Sequence, residues 1–270
     1  MSGRPLRLLT IAGSDSGGGA GIQADLKTFA AHGAYGMSAV TALTAQNTLG
    51  VRGIHAVPGS FVVAQIEAVF DDLGVDGVKV GMLADAGVAR SVAGCLAEHA
   101  GPPVVVDPVM IAASGDPLLE PDAVEELRSG LFPLATLVTP NLPEAERLAG
   151  ARAATVDERE ELARAIGRDA RAVLLKGAHA PGAEIVDLLW DGRRTTSFTH
   201  PRIATRAGHG TGCTLSSAIA ARLAAGTDLI EACRGAIAWL EGALREAPEL
   251  GRGQGPVDHL WRCRSKGGAT

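Results

Sequence analysis

Short, almost purely apolar runs alternate along the chain with longer stretches whose apolar residues recur every three or four positions. LRLLTIAG (6–13) has the composition of a strand buried on both faces. GIQADLKTFAAHG (21–33) reads as a helix stopped by Gly33, and MSAVTALTAQNT (37–48) returns to extended chain. FVVAQIEAVFDDLG (61–74) places Val62, Ile66, Val69 and Leu73 on one helical stripe. VDGVKVGML (75–83), PPVVVDPVM (102–110), ATLVTPN (135–141) and AVLLKGAH (172–179) are further short strands. EIVDLLWDGRRTTSFTH (184–200) predicts a hairpin turning at Asp191–Gly192. Two helices, from about 212 and 228, follow, and the Gly- and Arg-rich tail after Pro248 is expected to be loosely held.

This alternation predicts an α/β fold with a mostly parallel sheet and helices on both faces. No internal repeat or linker interrupts it, so residues 1–270 are read as one domain. Ligands in such sheets sit beyond the carboxyl ends of the strands. Those ends carry Asp15, Gln46, Gly81–Met82, Asp107, Asn141 and Lys176, polar or glycine positions that neutral packing does not require.

Composition narrows the class. Hydrophobic residues make up 46% of the chain but aromatics only 3%, so Ala, Val, Leu and Ile must fill the core. The 35 glycines cluster at the ends of apolar runs, as turns and ligand loops do. A formal net charge of −5 argues against general nucleic-acid binding. No stretch approaches the roughly 18 apolar residues of a membrane span. Cys95, Cys213, Cys233 and Cys263 lack metal-finger spacing. A cytosolic location with reduced thiols is the expectation.

Several motifs carry chemistry with a plainer reading beside it. GSDSGGGAG (13–21) frees backbone N–H groups for an oxyanion or a flat ring, or is only a flexible turn. It matches neither the Walker loop nor GxGxxG. Asp107 could cap a turn before Pro108 or stand near Mg²⁺ and phosphates. Asn141 and Glu144, one helical turn apart, suit a capping box. Lys176 is one of four lysines and precedes a glycine. In GHGTGC, Cys213 follows glycines at a helix start, where the dipole should lower a thiol's pKa; the alternative is a small buried cysteine under a turn. The histidines lack a ligand spacing, and no GxSxG elbow occurs.

Taken in order, TIAGSDSGGGAGIQADLKTFAAHGAYGMSAVTALTAQNT, VKVGMLAD, VVVDPVMIAASGDPLL, TPNLPEAERL, LLKGAH and HGTGCTLSSAIAA resemble the hydroxymethylpyrimidine/phosphomethylpyrimidine kinases of thiamine biosynthesis. The resemblance runs over roughly residues 6–260, including GQGPVDHL (253–260). It implies a three-layer α/β/α ribokinase-like sandwich, ATP as donor with Mg²⁺, and 4-amino-5-hydroxymethyl-2-methylpyrimidine and its monophosphate as acceptors. It further implies that Gln46, Gly13, Asp25, Met82 and Val109 bind the pyrimidine. Lys176, Asn141 and Thr211 would meet the nucleotide, and Asp107 and Glu144 the metal. Gly210, Gly212 and Lys176 would surround the transferred phosphoryl group, with Cys213 in the base position. A homodimer follows by the same resemblance. Ala178 and Gly208 depart from the family pattern, which usually has glycine and threonine there. A pyridoxal/pyridoxine kinase, with a similar flat hydroxymethyl substrate, is the alternative; Gln46 favours an aminopyrimidine edge.

Overall fold

The computed structural model describes residues 4–111 and 123–264. The chain begins with β1 (Arg7–Asp15), α1 (Gly21–Ala31), β2 (Tyr35–Asn47), β3 (Gly50–Ala56) and α2 (Gly59–Asp72). β4 (Gly77–Val80), α3 (Ala86–Glu98), β5 (Val104–Val106) and α4 (Ala123–Glu126) follow. α4 runs on through a π turn at Leu127–Leu131 and a 3₁₀ turn at Phe132–Leu134. Next come β6 (Leu137–Val138), α5 (Leu142–Ala149), α6 (Val156–Ile166) and β7 (Val173–Leu175). The last elements are the hairpin β8 (Glu184–Trp190) and β9 (Thr195–Pro201), α7 (Thr211–Ala224), α8 (Leu229–Arg245) and α9 (Trp261–Arg264).

Among the described residues the strands form one sheet in the order β3-β2-β1-β4-β5-β6-β7-β8-β9. From β2 to β7 every neighbouring pair is parallel, and β3, β8 and β9 add antiparallel edges. The expected α/β class and hairpin are therefore present. β4 to β7 are short and wholly buried because helices cover both faces, which is why they read as unbroken apolar runs.

Two apolar clusters lie on opposite sides of the sheet. One joins Val62 and Ile66 of α2, Val88 and Val92 of α3, and Leu162 of α6 to Leu9, Ile11 and Val80. The other joins Leu215, Ala218 and Ile219 of α7 and Ile237 and Trp239 of α8 to Leu8, Val105 and Leu174. Small side chains let α7 approach closely: a Cβ on Gly77 would stand 2.9 Å from the Cβ of Ala224. Chain order reverses at β1, with β2 on one side and β4 on the other. That crevice, at the carboxyl ends of the strands, is where an open α/β sheet takes its ligands.

Three expectations need correction. Leu73 is exposed, because α2 has ended at Asp72 before the stripe reaches it. The extended segment after Gly33 is longer than expected and folds back as the exposed edge strand β3, whose pairing with β2 supplies the ladder that its own pattern does not advertise. The described part of the chain after Pro248, up to Arg264, is also not loose. Gly255 bonds to Arg206 and His209, Asp258 N donates to Ala243 O, and Val257, Asp258 and His259 are buried. Part of the VVVDPVMIAASGDPLL motif (112–119) lies outside the described residues.

Candidate active site

The parallel strands end on one side of the sheet and bring their polar ends to the start of α7. β1 breaks register between Ala12 and Ser14, at Gly13, and a Cβ on Gly13 would stand 3.0 Å from the sulfur of Met82. Thr41 fixes the backbone after β4 by donating to Met82 O at 2.6 Å. Gln46 follows a second register shift, between Ala45 and Gln46, where a bulge re-aims the strand. Ser16 brackets it, accepting from Gln46 N at 2.8 Å and donating to Gln46 O at 2.7 Å, and Thr44 donates to its carboxamide oxygen at 3.1 Å. Val109 is half-buried two residues beyond Asp107, whose carbonyl accepts its N–H at 2.8 Å.

The glycine-rich turn does not hold its donors free. Asp15 turns its carboxylate back onto the loop and accepts from Gly17 (2.7 Å), Gly19 (2.9 Å) and Ala20 (2.8 Å). The anion in this nest is the chain's own. His209 adds a contact at 2.8 Å between Nε2 and the same carboxylate, so the first loop and the loop before α7 are tied together. Burial pushes the Asp15 pKa up, but His209 and the backbone N–H groups outweigh it and hold the carboxyl below its ordinary value. Gly210 sits against this loop at φ +77°, and a Cβ there would fall 1.9 Å from Gly19 O, so only glycine fits.

On the other flank, Lys176 reaches Asp107 at 2.7 Å, and Thr139 donates to the same oxygen, Oδ1, at 3.0 Å. The other oxygen faces Gly212, where a Cβ would stand 3.3 Å from it and 3.1 Å from Lys176 Nζ. Gly177 is locked behind the lysine: its N–H donates to buried Asp187 at 2.7 Å, and a Cβ would strike Val186 O. Asn141 and Glu144 do form a reciprocal capping box, with contacts of 3.0 and 2.7 Å. Glu144 nevertheless has its pKa raised to about 7; burial is the main cause, Lys176 opposes it and Asp107 adds to it.

No three His, Cys, Asp or Glu side chains group together to hold a metal among the described residues. Two buried carboxylates, one with an oxygen free of Lys176 and Thr139 and one pressed toward protonation, fit Mg²⁺. That ion commonly takes one or two carboxylates and completes its shell with water and phosphate.

α7 starts at Gly210 with no side-chain cap, so its first N–H groups point into the crevice. Thr211 turns its hydroxyl to Gly208 O at 3.1 Å. A Cβ on Gly208 would fall 2.1 Å from Gln254 Oε1, so this chain has filled with Gln254 the space a larger residue would need. Cys213 is half-buried, and its thiol behaves opposite to the expectation. Its pKa is pushed up to about 11, chiefly by burial; Lys79 and the Gly21 N–H pull it down, while Asp25 and Asp107 push it further up. The helix-start field is outweighed by desolvation.

Asp25 also departs from expectation. It has no exposed surface, and both its oxygens are taken, by Thr10 and Lys79 on one and Ser217 on the other. It lies under the site instead of lining it. Lys79, His209 and Asp187 were not among the expected site residues. The one sequence signal was for Lys79, a charge inside GVKVGML (77–83), a run otherwise apolar or glycine.

Known proteins resemble this chain in sequence and in fold. The phosphomethylpyrimidine kinase family model matches residues 15–258. The thiamine biosynthesis bifunctional protein ThiED of Geobacter sulfurreducens is 54% identical over 94% of the chain, which spans about half (52%) of that relative. The hydroxymethylpyrimidine/phosphomethylpyrimidine kinase of Rhizobium meliloti is 53% identical, with 94% of this chain and 97% of that one covered. Among solved structures, pyridoxal kinase from Staphylococcus aureus in complex with AMP-PCP and pyridoxal superposes with a TM-score of 0.89 at 32% identity, covering 97% of this chain and 96% of that one.

Proposed function

The chain belongs to the phosphomethylpyrimidine kinase family, and on that premise we propose that it phosphorylates 4-amino-5-hydroxymethyl-2-methylpyrimidine and then the resulting monophosphate, using ATP. The observation that carries this is the convergence of Lys176, Asp107 and the uncapped start of α7 on one point of the crevice. Phosphoryl transfer is mostly positioning and charge neutralisation, and these groups supply both. Lys176 and the N–H groups of Thr211, Gly212 and Cys213 hold the transferred phosphoryl oxygens. Asp107 and Glu144 would hold Mg²⁺, largely through water, and the ion would neutralise phosphate charge.

Upstream of Gly210 a cavity of about 570 Å³, lined in part by Thr205, Arg206, Ala207, Leu244, Pro248 and Leu250, has room for the nucleoside. The pyrimidine lies on the opposite flank. Gln46 offers a carboxamide to its aminopyrimidine edge, and Met82 and Val109 face the ring, with Gly13 leaving space beside Met82. The hydroxymethyl oxygen then points to the start of α7, where the thiolate form of Cys213 takes its proton as the oxygen bonds to the γ-phosphorus and ADP departs. The same reading makes the enzyme a cytosolic homodimer, with exposed Leu43, Leu49 and Ile54 on the β2–β3 edge as the apolar surface such a pair would cover.

A coupled ADP-release assay tests the reading. The pyrimidine should exceed pyridoxal by at least tenfold in kcat/KM, and Gln46→Ala should reduce that ratio. A tenfold preference for pyridoxal would transfer the assignment to that substrate.

A further inference from the structure

Below the acceptor flank lies an ion pair that the chemistry above does not use. Lys79 and Asp25 have no exposed surface, and Nζ stands 2.8 Å from Oδ2. Thr10 donates to that same oxygen at 2.6 Å and Ser217 to the other at 2.7 Å. Four elements meet at this carboxylate: β1 through Thr10, β4 through Lys79, α1 through Asp25 and α7 through Ser217. Ser217 is one helical turn after Cys213, and Asp25 is one turn after Gly21, whose N–H bonds to the Cys213 sulfur. The pair therefore sits one turn below the thiol. Gly81 closes the space above: a Cβ there would stand 2.7 Å from Lys79 Nζ, so glycine makes room for the ammonium.

Fold stability alone does not call for this arrangement. A buried ion pair is often replaceable by apolar side chains without loss, and every other residue of β4 is apolar or glycine. What apolar replacements would not supply is charge. Lys79, Asp25, Asp107 and Lys176 all act on Cys213 by charge, and the attraction of Lys79 exceeds the repulsion from either Asp25 or Asp107.

The geometry points to Lys79 as a positioning residue for Cys213: anchored by Asp25, it fixes the start of α7 against the sheet and places a positive charge beneath the sulfur. The inference rests on Cys213 lying at the reacting hydroxyl, but its test does not need turnover. Iodoacetamide modification at pH 7.5, followed peptide by peptide, compares Cys213 with exposed Cys263 in the same molecule. Lys79→Met should lower the Cys213/Cys263 rate ratio at least fivefold and kcat at least tenfold, while KM for ATP stays within twofold. Lys79→Met/Asp25→Asn removes both charges and keeps an acceptor for the hydroxyls; its ratio should remain at least twofold below the wild type.

A folded Lys79→Met protein with an unchanged ratio overturns the proposal. If that variant does not fold, an unchanged ratio in the double variant does the same. Absence of pyrimidine kinase activity in the wild type would remove the functional reading, and the thiol ratio would still decide the role of Lys79.

Discussion

Cys213 stands at an uncapped helix start, yet its thiol is held protonated. A helix terminus is worth about 0.3–1 kcal/mol to a nearby charge, less than the burial that lifts this thiol to about 11. The larger effect wins. Catalysis by the thiolate then draws on a minor fraction, and kcat for the alcohol step should rise about tenfold per pH unit between 7 and 10. Cys213→Ala should lose that slope and about 10²–10⁴ in rate. Transfer to the monophosphate should fall less than tenfold, because a phosphate ester oxygen is already ionised near neutrality (second pKa about 6) and needs no base. Single-turnover rates for the two acceptors measure this. Equal losses in both steps would reduce Cys213 to part of the anion site. Asp107 and Lys176 stood out as polar residues at strand ends, whereas Glu144 and Cys213 had plainer readings, a cap and a buried thiol, until the family resemblance singled them out. The Lys79–Asp25 pair was not legible, since its partners lie 54 positions apart and only the packed fold joins them. The donors of the glycine loop looked free because a sequence does not show that Asp15 bends back to occupy them.

At the level of elements, the buried strands read clearly because burial on both faces leaves a plain apolar signature. β3 did not, since most of it is exposed and it depends on β2 for its hydrogen bonds. α3 and α6 leave no clear periodic signature in the sequence. In α3 the small residues Ala89, Ala93 and Cys95 weaken the contrast between faces, and α6 is dominated by charge apart from Val156, Leu162, Ala163, Ala165 and Ile166. The closing segment was misread because its anchor is polar: His259 is buried and shares a 3.0 Å hydrogen bond with Thr214 of α7. Burial, aided by Lys27 and opposed by Asp258, lowers the His259 pKa to about 4. The folded chain thus keeps His259 neutral at pH values where the unfolded chain protonates it. Its contribution is complete above about 6.5 and is lost as pH falls toward 4. Between pH 7 and 5 this amounts to about 2 kcal/mol. Urea unfolding at both pH values should show that extra loss in the wild type and not in His259→Gln. Parallel losses would mean that His259 is not held neutral.

The two apolar clusters are joined by the strands β1, β5, β6 and β7. Leu8 faces one and Leu9 the other on β1; Val105 and Val106 divide likewise on β5, and Leu174 and Leu175 on β7. Stripping the helices from one face would expose half of each strand while the other half stayed packed, and the alternating side chains give no plane along which the layers part cleanly. Chains of this length often unfold through intermediates, so cooperativity across the sheet is a specific expectation and not a default. Two thiols report on it separately. Cys95 on α3 belongs to one cluster and Cys233 on α8 to the other, both buried and both with pKa values raised chiefly by that burial. Pulsed alkylation through a urea series, resolved by peptide mass, should give coincident midpoints for the two, as one domain spanning the sheet requires. Earlier exposure of Cys233 would show that α7 and α8 leave as a separate unit, carrying the start of α7 and Cys213 away from Lys176 before the rest of the sheet opens.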